Sequence, residues 1–208
     1  TDYSNNNNIL DTPTVTTSTT DSSLTNNQVR LVFNHEVDAN TAIEASNYSI
    51  PNAKVVNAQV LNDALNTVIL TLQPNGTTTT GPRELIITGV KAKDSVASPK
   101  SLTAEVNLKE NIRPVLNTAT FRSANEIELT FSESVSGIAT DSFVIENSLG
   151  EPLTISKVDS STTVNKVIVT LQDNLAAGTV VSIKKGAGVG AVKDEAGNAI
   201  MDTINLKT

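Results

Sequence analysis

The chain has 208 residues and a net charge of −7, with 38% hydrophobic residues, 3% aromatic residues and no cysteine. The length fits two domains of about 100 residues, and the acidic excess argues against nucleic-acid binding. The lack of cysteine excludes thiol catalysis and cysteine-based zinc sites. No apolar stretch approaches the roughly 20 residues that span a bilayer, so no membrane insertion is predicted.

The chain begins with a polar, Asn-rich segment, residues 1–12, which is typical of a linker. The opening on Thr1, without a signal peptide, favours a piece of a longer polypeptide. Short segments with alternating apolar and polar residues follow, and this period predicts half-buried β-strands. In the first half they are residues 14–20, 28–33, 48–50, 55–61, 67–72, 83–90 and 101–108. A brief helical turn is predicted at residues 39–46.

The second half of the chain repeats the first. Residues 27–33 (NQVRLVF) recur as residues 125–131 (NEIELTF), and residues 68–73 (VILTLQ) recur as residues 167–172 (VIVTLQ). A period near 100 residues indicates two copies of one folding unit. The sequence therefore predicts an all-β chain with two antiparallel β-sandwiches in tandem. The predicted segments are a linker at 1–12, a first domain at 13–110 and a second domain at 111–208.

Two further motifs recur around the predicted strands. A polar corner after a strand ending in Phe reads NHEV at residues 34–37 and SESV at residues 132–135. A closing turn reads DEAGN at residues 194–198, whereas the first copy has DSVASP at residues 94–99 and lacks the Gly-Asn pair. This pattern resembles the immunoglobulin-like repeats of bacterial surface-layer proteins of the Bacillus and Geobacillus type.

The resemblance implies two immunoglobulin-like domains of an exported, structural, non-catalytic protein. Such a protein would assemble with neighbouring copies of itself into a two-dimensional lattice in the extracellular surface layer of the cell wall. Contacts in an open array do not close on themselves, so they propagate. Edge strands and acidic faces bridged by divalent ions are the expected contact surfaces, and the isolated pair of domains is expected to be monomeric.

The best candidates for metal ligands are Asp194, Glu195 and Asn198 in the closing turn. Calcium prefers several oxygen ligands from carboxylates, amides and carbonyls, and surface-layer proteins are often ordered by calcium. The same residues are also ordinary turn formers. Glu110 and Asn111, at the predicted join, are a second candidate ion site. No cofactor other than calcium is predicted.

No catalytic residues are predicted. His35 is the only histidine and is expected to be an exposed corner residue. Glu126 and Glu128 are expected on the outer face of a strand, and the glycine run at residues 186–190 is expected to form a mobile loop. Two alternatives remain open: an adhesin or cell-wall-binding module, and a spacer in a secreted multidomain hydrolase. Residues 77–80 could carry O-linked sugar or form a plain polar loop.

Overall fold

The computed structural model describes residues 15–19, 24–160 and 164–208, and the predicted linker at residues 1–12 lies outside them. The chain separates into two compact units, one ending at Ile112 and the other spanning Arg113–Thr208, which we call domain 1 and domain 2. Nearly all regular structure in the described residues is antiparallel β-strand, which confirms the all-β prediction. The predicted helical turn is present as one short helix, α1 (Ala39–Ala42), capped by the Asp38 carboxylate.

Domain 1 is a sandwich of two antiparallel sheets. Its strands are β1 (Val15–Thr19), β2 (Gln28–Phe33), β3 (Tyr48–Ser49), β4 (Val55–Leu61), β5 (Ala64–Leu72), β6 (Gly81–Ile87) and β7 (Leu102–Leu108). One sheet has the order β1-β2-β5-β4 and the other has the order β3-β6-β7. The apolar core contains residues from both sheets, so it lies between them.

Domain 2 is also a sandwich of two antiparallel sheets. Its strands are β8 (Leu116–Phe121), β9 (Glu126–Phe131), β10 (Phe143–Glu146), β11 (Pro152–Leu153), β12 (Ile155–Ser160), β13 (Lys166–Leu171), β14 (Ser182–Lys185) and β15 (Asn205–Lys207). The sheets have the orders β8-β9-β13-β12 and β11-β10-β14-β15. Apart from the added strand β11, this is the strand order of domain 1.

The two domains also share the irregularities of their sheets. In each four-stranded sheet built around the central pair β2 and β5, or β9 and β13, both edge strands carry a β-bulge. We call these shifts the edge bulges, and they lie between Val15 and Thr17, Val55 and Asn57, Leu116 and Thr118, and Ile155 and Lys157. A bulge bends and twists its strand locally, so both copies curve their sheets at the same points.

The alternation seen in the sequence fixes which side chains enter each core. In β2 and β9 every second residue is buried, and the others are partly exposed. Burying a Val, Leu, Ile or Phe side chain contributes about 1.5–3 kcal/mol, so these two strands anchor their domains. The buried residues are Val29, Leu31, Phe33, Ile127, Leu129 and Phe131.

Tyr48 distinguishes the core of domain 1 from that of domain 2. Its side chain is buried, and its hydroxyl donates a hydrogen bond to the Ala42 carbonyl oxygen over 2.7 Å. Burial raises the pKa of the Tyr48 phenol. The corresponding strand of domain 2 begins with Phe143, whose ring centre lies 6.2 Å from that of Phe131. Only domain 1 therefore buries an ionisable aromatic group at this point.

Replacing Tyr48 with Phe is expected to make domain 1 less sensitive to alkali. Above about pH 10 the unfolded phenol ionises while the buried phenol stays protonated, so wild-type stability falls by up to about 1.4 kcal/mol per pH unit. The free energy of unfolding of the Tyr48→Phe variant should not fall in this way. At neutral pH the variant should be less stable than the wild type by about 1 kcal/mol, because it lacks the hydrogen bond. Urea unfolding followed by circular dichroism at a series of pH values measures both effects. If the free energy of unfolding fell equally steeply with pH above pH 10 in the wild type and the variant, the prediction would be wrong.

Candidate functional site

The closing turn of domain 2 is a tight hairpin rather than an open loop. The Asp194 N–H donates to the Asn198 carbonyl oxygen over 3.1 Å, and the Gly197 N–H donates to the Asp194 carbonyl oxygen over 3.3 Å. Gly197 has φ of 95°, a conformation that side chains other than glycine rarely adopt. On both sides of the turn the backbone continues to pair, with an isolated bridge between Lys193 and Ala199.

The Asp194 carboxylate is the centre of this turn. One of its oxygens, Oδ1, accepts the Asn198 N–H over 2.8 Å, and the other, Oδ2, accepts the Asn198 side-chain amide over 2.9 Å. Both side chains are buried. Hydrogen bonds to a carboxylate are stronger than those between neutral groups. The pair therefore fixes the shape of the turn.

Arg113 holds the backbone segment that leaves the turn. Its Nε donates to the Ala199 carbonyl oxygen over 2.9 Å, and one terminal nitrogen donates to the Ile200 carbonyl oxygen over 2.5 Å. The Met201 N–H donates to the Pro114 carbonyl oxygen over 2.8 Å. The first residues of domain 2 are thus tied to its closing turn.

The structure brings two of the three predicted metal ligands into contact. Asp194 and Asn198 are in contact, but Asn198 offers its amide N–H groups to the carboxylate, and Glu195 is exposed to solvent. Calcium requires six to eight oxygen ligands in most protein sites. The turn residues alone do not meet that requirement, and calcium binding here stays a prediction.

Replacing Asp194 with Asn is expected to destabilise domain 2 by about 1–3 kcal/mol, because at least one amide donor in the buried turn loses its acceptor. This loss of stability should be the same in buffer that contains calcium and in buffer that contains EDTA. Calorimetry measures it, and tyrosine fluorescence checks domain 1, since Tyr3 and Tyr48 are the only tyrosines. The control Glu195→Gln, at an exposed position, should change stability by less than about 0.5 kcal/mol. A calcium-dependent stabilisation of the wild type that Asp194→Asn removes would contradict the structural role and favour a metal site.

Asn111, the second candidate ion ligand, is a structural tie in domain 1. Its Oδ1 accepts the Thr77 N–H over 2.7 Å, and its Nδ2 donates to Asn27 Oδ1 and to the Gln73 carbonyl oxygen over 2.7 Å and 3.0 Å. The Glu110 carboxylate accepts the backbone N–H two residues on. Thr77 is fully buried, so it is closed to modification in the folded domain, whereas residues 78–80 are exposed.

The remaining acidic and imidazole candidates lie at the surface. His35 is exposed, as predicted. Glu126 and Glu128 lie on the partly exposed face of β9, and Glu128 forms an ion pair with Lys166 over 2.6 Å. The polar corner of domain 1 places Glu36 2.7 Å from Lys93, and this contact raises the pKa of Lys93. Each of these two ion pairs joins neighbouring segments within one domain.

The glycine run of domain 2 is not the predicted mobile loop. The Gly186 N–H donates to the Ser142 carbonyl oxygen over 2.9 Å, and the Gly188 N–H donates to the Asp141 carbonyl oxygen over 3.0 Å. A 3-10 turn, Val189–Ala191, follows. A Cβ atom at Gly186 would collide with the backbone of Asp141 and Ser142. Gly186 is therefore needed because two backbone segments pack closely together there.

The change Gly186→Ala is expected to destabilise domain 2 by about 1–3 kcal/mol, because overpacking against backbone forces the two segments apart. Gly190→Ala is the matched control, since a Cβ atom there meets nothing within 4 Å. The melting temperatures of both variants, measured by calorimetry, test this prediction. If Gly186→Ala melted at the wild-type temperature, close packing would not be the reason for glycine at this position.

Residues 109–207 match the family model described as a bacterial Ig-like domain. Together with the two-sheet architecture, the match confirms the predicted immunoglobulin-like fold. No curated protein sequence matches the chain.

Among solved structures, the chain is similar to fragments of the bacterial S-layer protein SbsC. The N-terminal part of SbsC is 17% identical, with 82% of this chain and 43% of that chain covered and a TM-score of 0.39. A structure of SbsC domains 1–6 is 16% identical, with coverages of 92% and 26% and a TM-score of 0.41. The chain thus spans less than half the length of either structure.

In the part of the chain that the structure describes, no helix is long and apolar enough to cross a membrane.

Proposed function

We propose that the chain is a structural, non-catalytic pair of immunoglobulin-like modules in an extracellular bacterial surface-layer protein, which assembles with copies of itself into a lattice on the cell envelope. The observation that carries the proposal is the duplication. Two domains repeat one strand order and the same edge bulges. Repeated rigid modules are suited to covering distance and presenting equivalent surfaces, and neither task requires a catalytic centre.

The use made of the polar side chains supports a structural role. Asp194, Asn198 and Asn111 are buried and hydrogen-bonded within their own domains. Glu128 forms an ion pair with a lysine on the neighbouring strand, and Glu36 forms one with a lysine in a nearby loop. These contacts support roles as structural ties and surface charges for these five residues.

The recurring corner motif and the closing turn of domain 2 also support the surface-layer assignment, because they are the features that resemble surface-layer repeats. The net charge of −7 adds a physical expectation. Copies that carry the same charge repel one another at low salt, so divalent cations should promote lateral association. The proposed role of calcium is therefore to bridge neighbouring copies.

Two alternatives involve different partners. An adhesin or wall-binding module would present exposed aromatic groups to its ligand, but the aromatic residues described in the core strands, Phe33, Tyr48, Phe131 and Phe143, are buried. A spacer in a secreted hydrolase would share the fold. A pulldown with cell-wall fractions separates the first alternative from a lattice, and a catalytic domain in the same polypeptide would favour the second.

Electron microscopy tests the lattice directly. The protein that carries this chain, extracted from cell envelopes and dialysed with and without calcium, is expected to form ordered sheets, more readily with calcium. The isolated 208-residue chain should sediment as a monomer in either buffer, because two modules offer few of the weak contacts that hold an array together. Ordered sheets of the whole protein with the chain located in them would support the proposal. Failure of the whole protein to form sheets in any divalent cation would contradict it.

A further inference from the structure

The turn that follows β5 contains Asn75-Gly76, the only Asn-Gly pair in the sequence. Pro74 and Asn75 are its central residues, and Asn75 has φ of 56°, as the third residue of a type II turn requires. The Gly76 N–H closes the turn by donating to the Gln73 carbonyl oxygen over 3.2 Å, which is at the long end of the usual range. Asn75 and Gly76 are both exposed, so water has access to both residues.

An exposed Asn-Gly pair permits a reaction within the chain. The Gly76 backbone nitrogen attacks the side-chain carbonyl carbon of Asn75, loses its proton to water and expels the side-chain nitrogen as ammonia. The product is a five-membered succinimide ring, which water then opens at either of its two carbonyl groups. One opening leaves aspartate, and the other leaves isoaspartate, in which the main chain runs through the former side chain. Glycine favours the attack because its nitrogen is not shielded by a Cβ atom.

The corresponding position in domain 2 has a hindered nitrogen. Alignment of the repeated segments VILTLQ and VIVTLQ makes Asn174 the counterpart of Asn75. Asn174 is also exposed, but it is followed by Leu175, whose N–H donates to the Ala124 carbonyl oxygen over 2.8 Å. A branched side chain and a shorter hydrogen bond both oppose attack by this nitrogen. The chain thus contains its own control for the reaction at Asn75.

Asn111 holds the backbone on both sides of the Asn-Gly pair. Its Nδ2 donates to the Gln73 carbonyl oxygen, and its Oδ1 accepts the Thr77 N–H. The Asn111 N–H also donates to the Thr77 carbonyl oxygen over 2.9 Å, and Thr77 is fully buried. These contacts fix the distance that the backbone spans between residues 73 and 77. Isoaspartate at residue 75 adds a carbon atom to that span, whereas aspartate leaves its length unchanged.

We propose that Asn75 is a site of spontaneous deamidation, where the folded protein slowly acquires isoaspartate and thereby loosens the contacts of Asn111 with the turn. Water is the only co-reactant and ammonia is released, so the reaction needs no enzyme. The hydrogen bond from Gly76 to Gln73 must open first, so the folded chain reacts more slowly than an unfolded one. Each converted molecule gains a negative charge at neutral pH, and only domain 1 loses stability. Residue 75 therefore records the age of the molecule.

Incubation of the full chain at mildly alkaline pH, below its melting transition, tests the reaction. Peptide mapping by mass spectrometry measures conversion at each asparagine, and an isoaspartate-specific methyltransferase measures isoaspartate. Conversion at Asn75 is expected to be at least about tenfold faster than at Asn174, a barrier difference of about 1.4 kcal/mol. Similar rates at the two residues would overturn the proposal. So would an unchanged Asn75 in the folded chain under conditions that convert a peptide of residues 71–79, because the turn would then prevent the reaction.

The variant Gly76→Ala tests the role of the attacking nitrogen. The φ of Gly76 lies outside the left-handed region, and a Cβ atom there would lie 3.0 Å from the Gln73 carbonyl oxygen, so a small shift accommodates alanine. This variant should convert at Asn75 at least about tenfold more slowly than the wild type, again a difference of about 1.4 kcal/mol in the barrier. Conversion at Asn75 as fast as in the wild type would contradict attack by this nitrogen.

Thermal melting followed by tyrosine fluorescence tests the effect on domain 1, because both tyrosines precede Arg113. The isoaspartate fraction, separated by ion exchange, should melt in domain 1 at least about 4 °C lower than fresh protein. The fresh variant Asn75→Asp has the added charge without the added carbon atom and should lose less than half of this. Equal melting temperatures for the isoaspartate fraction and Asn75→Asp would show that the contacts of Asn111 are not loosened, and the proposal would be wrong. These measurements need no lattice, so their outcome is independent of the surface-layer proposal.

Discussion

The structure depends on apolar contact between the inner faces of two sheets, made separately within each domain. The central strands β2 and β9 contribute three fully buried side chains each, and the facing sheets close the cores with Leu85, Ile87, Ile145 and Ile183. With no tryptophan in the chain, aliphatic packing must supply most of the stabilisation. The polar corners, the closing turn and the glycine run therefore act on elements that are already held in place, and they refine their geometry.

Much of this architecture could be predicted from the sequence because it depends on local period. Alternation in residues 29–33 and 127–131 identified the inward side chains, and the repeat of these segments indicated two copies of one fold. The short helix after the first polar corner was predicted as well. Each of these features is set by residues close together in the chain, where spacing alone determines which side chains share a face.

The roles of individual polar residues depend on distances that sequence does not contain. The DEAGN turn has the composition of a calcium loop, but composition does not reveal that the Asn198 amide points at the Asp194 carboxylate. Asn111 bonds to Asn27, which is 84 positions away, and no local motif marks that contact. Gly186 was predicted to be mobile because glycine often is, whereas its real constraint is the nearby backbone of Asp141.

The edge bulges have a consequence for crowding at high concentration. A straight, unpaired edge offers an aligned row of N–H and C=O groups, and identical edges on other molecules can dock there to build endless stacks. The local twist at Val15, Val55, Leu116 and Ile155 breaks that alignment. A protein made of many such modules can thus be packed densely without its sheets fusing into fibrils, which leaves faces and loops to determine how neighbouring molecules meet.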